Sequence, residues 1–205
     1  MNKAINLELR QSFVRATEDI KKSLPSASLL SPEQCRNIIQ RYTAAIEGNF
    51  VGWMGAAAIS ARSIEGRFAA SENLYVEMKD DHAGMLRDFA LSAQAVPSIE
   101  HFADVAEQVS SIRKLVAEMS GLKTLTLMAM LENTSGAFIP WLAELAEKCG
   151  SSNLKYTDVH GVADIEHAEQ FLWAVQCEAA HYTNSKLQID EVISKTSLFL
   201  TRILS

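Results

Sequence analysis

Chain breakers are scarce in this sequence. Its 205 residues contain only 9 Gly and 4 Pro. A many-stranded sandwich or barrel needs turn signals about every 8–12 residues, so that class is disfavoured. Apolar residues recur at helical spacing instead. Ile5, Leu9, Phe13, Ile20 and Leu24 share one face of residues 4–24, and Pro25 closes that segment. Ser31-Pro32-Glu33-Gln34 is a capping box with proline at the first helical position, which starts a helix over 32–62. Gly48, Gly52, Gly55 and three alanines lie inside it and imply close packing against a neighbour.

Further helices are expected over 71–95 (capped by Ser71), 98–120 (capped by Ser98), 122–149 (through Pro140), 158–182 (capped by Asp158) and 186–204. No alternating strand pattern, internal repeat or linker is present. The expectation is an all-α protein, a seven-helix bundle forming a single domain over 1–205.

Composition narrows the partners. Apolar residues make up 48% and charged residues 21%, as in ordinary globular proteins rather than disordered chains. The net charge of −6, without any basic run, argues against nucleic acid and anionic membranes. Cys35, Cys149 and Cys177 are odd in number and far apart, which speaks against a disulfide framework or a thiolate zinc site. The N-terminus lacks the apolar run of a signal peptide, and windows 51–60 and 122–131 are too short to span a bilayer. A cytoplasmic, soluble protein is expected.

Residues 158–167 carry the most chemistry. On a helix, Asp164 lies about 40° from His160 and His167 about 20° on the other side. Two imidazoles and a carboxylate thus share one stripe, which Phe171 continues. Burying such a stripe is costly unless the groups are paired or bind metal. A solvated face carrying the three by coincidence is the competing reading. Glu132 follows the apolar run 124–131 and would need a partner if buried. His82 lies on the 71–95 segment, with Glu72 about 80° away and Glu77 about 140° away, so that Glu77 is expected to face solvent. Glu47 sits among Ala44, Ala45, Ile46, Phe50 and Val51.

Glu47, Glu72, His82, Glu132, His160, Asp164 and His167 therefore supply four carboxylates and three imidazoles from four helices. That is the ligand type of a di-iron or di-manganese centre in a helical bundle. In this pattern the chain resembles the haem-oxygenase-like di-iron oxidases and oxygenases, whose seven-helix fold is related to haem oxygenase and thiaminase-like proteins. Their motif is a Glu, then a His with a variably placed carboxylate, then a Glu, then HxxxDxxH. The resemblance covers about residues 32–175 and departs most at Glu72.

The resemblance implies two Fe(II) ions, with manganese also suited to the ligands, O2 as co-substrate, and no haem. It implies oxidation of a small amine or amino-acid-like substrate, by N-oxygenation or oxidative C–C cleavage, in small-molecule biosynthesis. Glu132, His160 and His167 would be central to catalysis. An external electron donor and a homodimer are compatible with this reading. Lys79 and Tyr75, about 60° and 20° from His82, are candidates to contact substrate, with Phe50 and Phe171 as apolar walls; a solvated lysine and plain core aromatics are the bland alternatives. Two other functions compete: a metal-free thiaminase-like hydrolase or ligand-binding protein of the same fold, and a non-catalytic helical interaction protein.

Overall fold

The computed structural model describes residues 6–205, apart from the side chains of residues 161–165. Among the described residues there are ten α-helices and no strand. They are α1 (Leu7–Ser23), α2 (Pro32–Ile46), α3 (Phe50–Ser60), α4 (Ile64–Lys79), α5 (His82–Ser92), α6 (Ile99–Asp104), α7 (Ala106–Ala117), α8 (Gly121–Lys148), α9 (Lys155–Ala179) and α10 (Ser185–Ile203). Three of the seven expected segments are each divided in two, which accounts for the larger number.

Local chemistry explains the divisions. The capping box at Ser31 is formed: its hydroxyl accepts from Gln34 N–H, and the Gln34 side chain accepts from Ser31 N–H. The helix it starts stops at Glu47, because residues 47–49 turn around Gly48. Ser63, not Ser71, caps the next helix and accepts from Gly66 N–H. That helix ends at Lys79. Asp81 adopts a left-handed conformation, φ 53° and ψ 51°, and its carboxylate accepts from Gly84 N–H to start α5. Gly84 is needed there, since a Cβ would stand 2.2 Å from the Asp81 carboxylate. Asp158 is not the cap of α9. It sits in the first turn, where an acid complements the helix dipole.

The long helix α8 is the axle. It is buried on nearly all sides and packs most extensively on α9, with α1, α2, α3 and α10 also against it. Its polar residues return hydrogen bonds to their own helix: Thr126 to Leu122 O, Asn133 to Ala129 O and Thr134 to Met130 O. That lets a partly polar helix sit in an apolar core. Pro140 leaves the carbonyl of Gly136 without its helical donor, and both positions are exposed, where water can serve. One contiguous core runs through the bundle and includes Phe13, Ile39, Met54, Phe89, Leu125 and Phe171. No described helix is long and apolar enough to cross a membrane.

Candidate metal centre

The break between α4 and α5 brings Glu77 and His82 together. Both are buried, and His82 Nδ1 lies 2.7 Å from Glu77 Oε1. A carboxylate oxygen accepts, so the imidazole donates. His160, from α9, closes the group: its ring centroid lies 4.7 Å from that of His82. Glu77, His82 and His160 each offer a ligand atom, all within 4.8 Å of one another. Glu132 of α8 and His167 of α9 stand beside them, with His167 Nδ1 3.7 Å from Glu132 Oε2.

The electrostatics are those of a site short of positive charge. Burial pushes the Glu132 carboxyl above its usual range and nearby Glu77 adds to this, although His167 and His82 oppose it. Burial holds His160 below the ordinary histidine range, which favours a neutral ring. His160 Nδ1 is 2.8 Å from Tyr156 O. A carbonyl only accepts, so the proton sits on Nδ1 and the Nε2 lone pair is left for a ligand.

A cavity of about 50 Å³, enough for a few waters, opens against Glu77, His82, Glu132 and His160. Its other walls are largely apolar, including Phe50, Leu86, Leu131 and Phe138. Tyr42 and Tyr156 also line it, with their hydroxyls 2.7 Å apart, and the Tyr156 ring leans on His160 at 4.3 Å between centroids.

The structure gathers His82, Glu132, His160 and His167 as the sequence predicts, and departs elsewhere. Glu72 is exposed on the outside of α4. The carboxylate beside His82 is Glu77, because the break at residues 80–81 resets the helical phase. Glu47 lines the cavity but turns its carboxylate to Arg87, whose Nε and Nη2 donate to Glu47 Oε1 at 2.8 and 2.5 Å. Lys79 is exposed beside Asp80, and Tyr75 is exposed on an outer apolar stripe with Ile64, Phe68 and Met78; neither lines the cavity. Phe50 does line it, whereas Phe171 is wholly buried in the core. The side chain of Asp164 lies outside the described residues. Sequence reasoning missed Tyr42 and Tyr156, which no motif or spacing singles out, and Glu77, for which the signal was Asp81 as a second cap.

The donor set fits a metal. Imidazole and carboxylate ligands, clustered, buried or half-buried, and without a Lys or Arg among the residues lining the cavity, suit iron or manganese. Glu77, His82, Glu132, His160 and His167 are the described residues that would hold it. None of the three cysteines lines the cavity.

No family model and no curated protein sequence matches the chain. Among solved structures, it is similar to a TenA homolog from Pseudomonas syringae pv. tomato str. DC3000. The two share 12% sequence identity and a TM-score of 0.68, over 96% of this chain and 90% of that one. At that identity the likeness speaks for the fold alone, and the ten helices of the described residues accordingly form an all-α, haem-oxygenase-like bundle.

Proposed function

We propose that the chain is a non-haem, di-iron oxygenase or oxidase that oxidises a small amine or amino-acid-like substrate. The observation that carries this reading is the convergence of Glu77, His82 and His160 within 4.8 Å, with Glu132 and His167 alongside. Bound iron would supply the electrons that activate O2. The protein's part is to hold the ligands and shape the cavity. The Tyr156 carbonyl fixes the tautomer of His160, and Glu77 orients His82. The walls formed by Phe50, Leu86, Leu131 and Phe138 limit water around the reacting substrate.

The test is anaerobic reconstitution followed by metal analysis. About two irons per chain are expected. His167→Ala and Glu132→Ala should lose iron and O2-dependent turnover while keeping the helical circular dichroism of the parent. Full loading and turnover in either variant would overturn the assignment.

A metal-free thiaminase-like hydrolase or ligand-binding protein is the second reading. It is favoured by the likeness to the TenA homolog, whose fold this chain shares. A chelator separates the two, since ligand binding or hydrolysis that survives complete metal removal belongs to the second.

A further inference from the structure

Glu47 occupies an unusual position. It lines the buried cavity beside His82 and Glu132, and it also lines two clefts on the outer surface. One outer cleft, of about 210 Å³, is formed by Thr43, Glu47, Arg87, Ala90, Pro97 and Phe102. The Glu47 side chain is therefore a partition between the cavity and solvent. Glu47 caps the C-terminal end of α2, its own N–H bonded to Thr43 O, and precedes exposed Gly48 in the turn to α3. Arg87, largely exposed on α5, holds the partition through two hydrogen bonds to one carboxylate oxygen.

We propose that the Glu47–Arg87 ion pair is the latch of the entrance to the cavity, and that Arg87 exchanges Glu47 for the carboxylate of an incoming substrate. The chemistry of the two sides supports this. The inner walls are largely apolar, the ionisable groups deepest in the cavity are Glu77, His82, Glu132 and His160, and no lysine or arginine lines it to pair with a substrate anion. The cation stands at the rim. A guanidinium that already makes a charge-assisted pair with one carboxylate has the donors to make the same pair with another. The other nearby guanidinium, Arg113, is engaged by Asn49 Oδ1 through its Nε and Nη2 at 3.0 and 2.7 Å. The ligand class is thus a small monocarboxylate whose apolar or amine-bearing body enters the cavity while its charge stays at the rim. This deepens the proposed function and rests on it only for the ligand's being a substrate.

The experiment uses the full chain freed of metal by chelation, so that its outcome is independent of iron loading. Hexanoate and hexanamide, matched in body but not in charge, are titrated and followed by amide chemical shifts in heteronuclear NMR. Wild type should bind hexanoate about tenfold more tightly than hexanamide, the size of one charge-assisted contact. Arg87→Gln should erase that preference and Arg87→Lys should keep part of it. Glu47→Gln should bind hexanoate several-fold more tightly than wild type, because the internal competitor is gone. Failure of wild type to bind hexanoate, or a preference that survives in Arg87→Gln, would overturn the anchor. Unchanged or weaker binding in Glu47→Gln would overturn the latch.

Discussion

Glu178, near the C-terminal end of α9, and Glu132, which faces the middle of α9 from α8, are both buried carboxylates, 0% and 5% exposed. Their surroundings differ. Glu178 accepts from the backbone N–H of Arg62 and Ser63 and from the Ser63 hydroxyl, at 2.7–3.1 Å. Burial alone would raise its pKa, but those bonds, joined by one from Tyr182, outweigh burial and leave it lowered. Glu132 has imidazoles for company, and burial leaves it raised. Fixed backbone donors satisfy a carboxylate at every pH above its titration, whereas a neutral imidazole does so only partly. The first end of the comparison is a staple between α9 and the α3–α4 corner. The second is a site whose charge is left for something positive to complete.

The sharpest way to break this comparison is to remove each carboxylate in turn. Glu178→Ala should cost about 3–5 kcal/mol in urea denaturation, because it leaves several buried N–H groups without an acceptor. Glu132→Gln in chelated protein should change stability by no more than about 1 kcal/mol, since it trades an unfavourably buried acid for a neutral amide. Equal losses in the two variants would erase the distinction.

Next comes packing at the staple. A Cβ on Gly121 would stand 2.6 Å from Ser60 O and 2.4 Å from Glu178 Oε1. Gly121→Ala should therefore cost about 1–3 kcal/mol by the same measurement. Acid should reveal the staple as well. A carboxylate with a lowered folded pKa contributes stability above its unfolded value near 4, and that stability is lost as pH falls through the folded pKa. The wild-type midpoint should drop below about pH 4 more steeply than that of Glu178→Gln, and parallel curves would refute this. The smallest effect is expected on the outer face of α9, where Arg10 pairs with Glu169 and both are well exposed. Glu169→Ala should cost less than about 1 kcal/mol, and less still in high salt.

Particular residues show what was legible in the sequence. His160 and His167 fall on one helical stripe whatever the tertiary structure, so spacing alone places them together. Glu132 was legible because a carboxylate after an apolar run must be either exposed or partnered. Glu72 and Glu77 were exchanged because the wheel was carried through residues 80–81 as though the helix were continuous. A left-handed Asp81 changes the direction of the chain, and angles counted across it lose meaning. The pairing of Glu47 with Arg87 depends on how α2 and α5 dock, which no spacing within either helix encodes. Glu178 gave no signal at all: its partners are backbone groups about 115 residues away in sequence.

The order in which the helices of the proposed metal centre leave the ribosome has a consequence for biosynthesis. Glu77 and His82 emerge first and Glu132 next, while His160 follows His82 by about 80 residues. At about 5–20 residues per second, that interval is about 4–16 s. Within and just after it α8, complete at Lys148 and buried on nearly all sides in the fold, lacks α9, the helix against which it packs most, until the chain reaches Ala179. Fragments ending before α9 should bind chaperones and aggregate, and metal should load only after the last third of the chain has been made.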